Sequence, residues 1–88
     1  MKKVIIKDIN DYNYTLVDSE DNVYVKNIEF YTSYKPCVND VVYIDESILE
    51  EVNLYAFDEI YDTKKAKLED MIKIVHGDKE YYFQRRFG

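Results

Sequence analysis

Residues 12–31, YNYTLVDSEDNVYVKNIEFY, decide the class of fold. Tyr12, Tyr14 and Leu16 alternate with Asn13, Thr15 and Val17, the period of two that marks a strand with one buried face. Ser19, Glu20, Asp21 and Asn22 follow, a polar run whose shorter side chains bond nearby backbone and so favour a turn. Val23, Val25, Ile28 and Phe30 then carry the next strand. Their parity changes between Val25 and Ile28, so a bulge near Lys26 and Asn27 is expected to return all four to one inward face. A hairpin alone is marginal in water, so the rest of the chain must extend the sheet.

Before this stretch, Val4, Ile5, Ile6 and Ile9 form a β-branched run that Asn10 and Asp11 interrupt, giving a first strand and a tight turn. After it comes a connection centred on Pro36, in which Asn39 is expected in the left-handed region. Asp40 to Asp45 then forms a fourth strand through Val41, Val42, Tyr43 and Ile44. Ser47 to Val52 reads as one helical turn with Ile48, Leu49 and Val52 on one side, and Leu54 to Tyr61 as a further strand. The last quarter admits two patterns. Leu68, Met71, Ile72 and Val75 fall at helical spacing, with Glu69 and Lys73 as an i,i+4 pair and Gly77 as a stop. Met71 to Val75 and Glu80 to Arg86 also flank His76, Gly77, Asp78 and Lys79, a sequence suited to a hairpin turn. The hairpin is preferred, with a short helix over 63–69 as a further expectation. The fold expected is a single, mainly β domain over 1–88, a small barrel of five or six strands.

Composition agrees. The 88 residues include ten Tyr and four Phe but only two Gly and one Pro, which favours strands and a small core of large rings. Net charge is −6. It divides unevenly: residues 1–62, the acidic body, hold five Lys against 14 acids, whereas 63–88, the basic C-terminal segment, hold seven Lys and Arg against four acids. An acidic body repels nucleic-acid backbones, so such partners are disfavoured, and the basic segment is expected to dock on its own body or on a second copy in a homodimer. No run of about eighteen apolar residues is present, and no charged start leads into an apolar stretch, so a cytoplasmic location without membrane insertion is expected. Cys37 is the single cysteine, which suits a reducing compartment. The abundance of Lys, Ile, Asn, Asp and Tyr is what an AT-rich genome encodes and suggests a bacterial source.

Four short strands joined by tight turns, the last opened by Val38, Asn39, Asp40 and Val41, resemble the OB-fold barrels of S1-like RNA-binding modules over the first half of the chain. An SH3-like barrel fits the same strand pattern. Asn39 stands where the S1-like family usually has Gly. The resemblance implies stacking aromatics on the second and third strands, which by position are Tyr12, Tyr14 and Tyr24. It also implies a basic surface that this chain lacks. The end of the chain, Glu80 to Gly88, resembles small uncharacterised bacterial proteins.

The remaining chemistry is sparse. Lys79, Tyr81, Tyr82, Phe83, Arg85 and Arg86 interleave cations with rings near the end, the combination that single-strand binders and protein interfaces both use. Asp18, Glu20, Asn22 and Glu29 fall at calcium-loop spacing, but Val23 occupies the position where such a loop needs Gly, so they read as a hairpin turn. His76 is the only histidine, which excludes a two-histidine zinc site within one chain. Cys37 and His76 become a nucleophile and base only if the fold joins them, and nothing in the sequence argues that it does. With glycines only at 77 and 88, no phosphate-cradling loop exists. No catalytic, metal or cofactor site is expected. The function expected is a non-enzymatic protein-binding module that includes self-association. Single-stranded RNA binding, and an enzyme using Cys37, are the alternatives.

Overall fold

Strands that alternate apolar and polar residues can bury one face by curling the sheet until it meets itself, and this sheet does so. The computed structural model describes residues 1–58 and 71–85. They form β1 (Lys2–Asn10), β2 (Asn13–Asp18), β3 (Val23–Tyr31), β4 (Val41–Ile44), the one-turn helix α1 (Glu46–Leu49), β5 (Asn53–Asp58), β6 (Met71–His76) and β7 (Lys79–Arg85). The strands close in the order β1-β2-β3-β5-β7-β6-β4, and β4 pairs with β1. The chain is therefore mainly β, but the barrel has seven strands where five or six are expected. Both strands of the terminal hairpin enter the wall, β6 beside β4 and β7 beside β5. The helix expected over 63–69 lies outside the described residues. Among the described residues, no helix is long and apolar enough to cross a membrane.

All neighbours run antiparallel except β3 and β5, which are parallel. Two long strands make this possible. In β1 the first half pairs with β4 and most of the strand pairs with β2, and in β3 the first half pairs with β2 and the second with β5. The bulge that bends the wall lies in β1, where the register skips Lys7 between Ile6 and Asp8. The bulge expected at Lys26 and Asn27 is absent, because β3 pairs without a break from Asn27 to Val23. Its alternation is uniform. Ile28 and Phe30 point inward, whereas Val23 and Val25 face solvent at 62% and 61% exposure.

The core is filled from every wall strand and from α1, with Phe83, Ile6, Leu16, Ile44 and Ile74 among its fully buried side chains. Phe30 meets Tyr14 and Phe83 edge-on, with ring centroids 5.3 and 5.7 Å away. Asp45 caps α1 by accepting from the Ser47 N–H at 2.9 Å, and Ile48 and Leu49 turn into the barrel. Val52 lies beyond the helix and is exposed, contrary to the expected shared face. Gly77 sits at φ +62° in the turn between β6 and β7, and Asn39 at φ +78° in the connection before β4, as their sequence context suggests.

Phe83→Ala should cost about 3–5 kcal/mol in urea unfolding, since it empties the centre of a small core. Val52→Ala, at an exposed position beyond α1, should change stability by no more than about 0.5 kcal/mol in the same measurement.

Candidate functional site

Asp40 immediately precedes β4 and is only 2% exposed, so its charge needs donors in place of water. Three supply them. Tyr34 Oη donates to Oδ2 at 2.6 Å, the Cys37 backbone N–H to the same oxygen at 2.9 Å, and His76 Nδ1 lies 2.5 Å from Oδ1. Burial pushes the Asp40 carboxyl up, but the bonds from Tyr34, Cys37 and His76 outweigh it and hold the group below the usual carboxylate range. Because an ionised carboxylate only accepts, the shared proton belongs on Nδ1, and in a neutral ring Nε2 stays available. Burial and the bond to Asp40 together push the Tyr34 hydroxyl well up.

The backbone places these groups. The segment 32–40 folds back through buried Pro36 and left-handed Asn39, whose N–H donates to the Ile6 carbonyl at 2.8 Å. Asp40 returns its carbonyl to the Ile6 N–H at 3.0 Å, which ties the loop to β1. His76 arrives by register, for the β4–β6 ladder ends with Val41 opposite Val75, and Asp40 and His76 are the residues that follow this last pair on either strand. Cys37 is exposed, with Sγ 3.6 Å from the Lys35 carbonyl. One ligating atom each from Cys37, Asp40 and His76 lies within 4.8 Å of the other two. The sequence gives no reason for Cys37 and His76 to meet; the fold joins them. Tyr34 stacks on Tyr81 at 3.9 Å and 2°, and both rings pack against the core.

The aromatic and basic residues singled out in sequence do not form one surface. Tyr14 and Phe83 are in the core, and Tyr81 is taken up by the Tyr34 stack. Arg85 pairs with Glu51 at 2.7 Å, and Tyr24 turns its hydroxyl to buried Asp18 at 3.3 Å. Tyr12, in the β1–β2 turn, Lys79 and Tyr82 are exposed, and Arg86 lies outside the described residues. Of the calcium-spaced residues, Asp18, Glu20 and Asn22 shape the β2–β3 turn, whereas Glu29 lies on β3: buried Asp18 accepts from the Glu20 and Asn22 N–H groups at 2.9 Å and from Lys2 at 3.3 Å.

The outer wall holds an arrangement that no local sequence pattern announces. Val75, Val41, Ile5, Val17 and Val23 are successive cross-strand partners through β6, β4, β1, β2 and β3. None is buried, and Val25 adds to the end of the row. A parallel outer row runs Tyr82, Lys73, Tyr43, Lys3. Lys73 lies 5.2 Å from the Tyr43 ring and 6.0 Å from that of Tyr82. Asp8 lies on the opposite flank, beside Thr15.

No family model, curated protein or solved structure matches this chain. Two clefts are lined by Lys2 and Glu46 with Met1 and Asp45, or with Tyr24, Lys26, Leu49 and Glu50, and neither is lined by Cys37.

Tyr34→Phe removes one donor from a buried charge and should cost about 1.5–3 kcal/mol at neutral pH. The folded pKa of Asp40 lies below its unfolded value of about 3.9, so its contribution is complete above that value and is lost as pH falls through the folded pKa. Without Tyr34 Oη the folded pKa rises, so loss of stability on acidification should begin at a higher pH, as measured by urea unfolding across an acid pH series.

Proposed function

We propose that this chain is a non-enzymatic protein-interaction module that associates with itself through the outer wall of β6, β4, β1, β2 and β3. The observation carrying this reading is the in-register row from Val75 to Val23. Alternation on a barrel ordinarily puts polar residues outside, so five aliphatic side chains in line form a contiguous apolar band. Such a band is self-complementary, as an isologous dimer requires. The flanks specify an orientation. A two-fold axis along the row lays Lys3 and Lys73 of one copy over the flank of the other that carries Asp8, whereas an axis across the row sets like charges together.

Within this reading the barrel is OB-like, with β6 and β7 inserted between β5 and β4. The parallel pairing of β3 with β5 and the pairing of β1 with both β2 and β4 support that assignment over an SH3-like one. The position of α1 between β4 and β5 departs from the usual OB arrangement. RNA binding on this wall lacks support, because Tyr14 and Tyr24 turn away from it and the chain is acidic.

Sedimentation velocity over the micromolar range should show a concentration-dependent monomer–dimer equilibrium. Val17→Glu with Val23→Glu should give monomer at every concentration while leaving the circular dichroism spectrum and cooperative melt intact. A wild-type chain that stays monomeric throughout that range would overturn the proposal.

A further inference from the structure

Three clusters offer chemistry beyond this reading: the carboxylate hub at Asp18, the clefts beside Lys2, and the meeting of Cys37, Asp40 and His76. Asp18 is already bonded on both oxygens, to the backbone of Glu20 and Asn22 and to the side chains of Asn22, Tyr24 and Lys2, which leaves it the work of holding a turn. The clefts have mixed charge and no converging set of donors. The third cluster is different, because a soft sulfur, an imidazole nitrogen and a carboxylate oxygen converge from two segments of chain.

We propose that Cys37 Sγ, Asp40 Oδ1 and His76 Nδ1 bind a divalent transition ion of the zinc class, with water in the fourth position. Tetrahedral zinc takes sulfur at about 2.3 Å and nitrogen or oxygen at about 2.0–2.2 Å, which sets its ligand atoms roughly 3.3–3.8 Å apart. One ligating atom from each of the three residues already lies within 4.8 Å of the other two. The main adjustment is between Nδ1 and Oδ1, which must open from 2.5 Å by about 1 Å as the ion takes the place of the proton between them. His76 can make that movement, because it ends β6 with its side chain 53% exposed.

Asp40 is already oriented for this role. Its other oxygen is fixed by Tyr34 Oη and the Cys37 N–H, the kind of outer support that orients a ligating carboxylate and adds to metal affinity. The same N–H belongs to the residue that supplies the sulfur, so the loop presents both ligands as one rigid unit. On binding, the thiol proton is released to solvent, the Nδ1 proton moves to Nε2, and Nδ1 and the thiolate each donate a lone pair to the ion. A thiolate and an imidazole select zinc, cobalt or copper over magnesium and calcium, which prefer sets made wholly of oxygen. The exposure of Cys37 and His76 leaves the fourth position open to water.

The test is a Co²⁺ titration of the reduced full-length chain, followed by displacement with Zn²⁺. A thiolate-to-cobalt charge-transfer band should appear, saturate at one equivalent and vanish on adding zinc. Cys37→Ser should abolish the band, and His76→Gln should weaken cobalt binding by at least about tenfold. Cys37→Ser should keep the metal-free melting temperature of the wild type, because the Cys37 backbone N–H still donates to Asp40; His76→Gln removes a donor from Asp40 and should lower it, so cobalt binding by that variant is read well below its melt, where circular dichroism shows the folded chain. Alkylation of Cys37 gives a second readout, since stoichiometric Zn²⁺ should slow it at least about tenfold in the wild type but not in His76→Gln. Absence of the charge-transfer band, a band whose affinity ignores His76→Gln, or zinc that fails to protect the thiol would each overturn the proposal. A binding isotherm that Mg²⁺ or Ca²⁺ displaces as well as Zn²⁺ would do the same.

Discussion

Closure of the sheet is the constraint on which the rest of this protein depends. A strand is stable only when its backbone groups are paired, and a ring gives each strand two neighbours without leaving an edge. With short strands such as β4, closure requires that the long strands β1 and β3 each serve two partners along their length. The skipped residue Lys7 gives β1 the bend to do this. Phe30, Phe83 and Tyr14 then occupy the inside of the ring, because an 88-residue chain has few positions to spend on a core and rings fill it with the fewest.

Two buried carboxylates organise the polypeptide where it leaves the wall. Asp18 gathers the β2–β3 turn and draws in Lys2, while Asp40 gathers the loop before β4 and draws in Tyr34 and His76. In each case a charge that cannot reach water dictates the path of the backbone that must supply its donors. At Asp18 the donors come mainly from the turn itself, and the outcome is a closed local knot. At Asp40 one comes from a distant strand, and the outcome is a convergence of side chains able to do more than hold a loop.

How much of this was legible in the sequence depended on range. The strands of the first half, the turn built on Asp18 to Asn22, the left-handed Asn39 and the hairpin around Gly77 follow from neighbouring residues and were readable. The outward facing of Val23 and Val25 was not, since a β-branched residue on a strand looks destined for the core, and only the pairing with Val17 and Thr15 shows otherwise. The meeting of His76 with Asp40 is set by the β4–β6 register, which no local signal encodes. The five or six strands expected fall short of seven for a related reason: the hairpin is visible in the sequence, but its entry into the wall depends on contacts with β4 and β5.

The parallel joint between β3 and β5 also bears on how the ring assembles. β1 with β2, β2 with β3, and β6 with β7 are linked by tight turns and can zip up independently. β3 and β5 cannot, because the chain between them must first travel through β4 and α1 on its way back. Loop-closure entropy makes such a joint slow, and until it forms the facing flanks of both strands are open to other nascent chains. β1–β4, β4–β6 and β5–β7 are long-range joints as well, so productive folding is a race between sealing these seams and encountering a neighbour, and crowded synthesis is the setting in which the race is hardest to win.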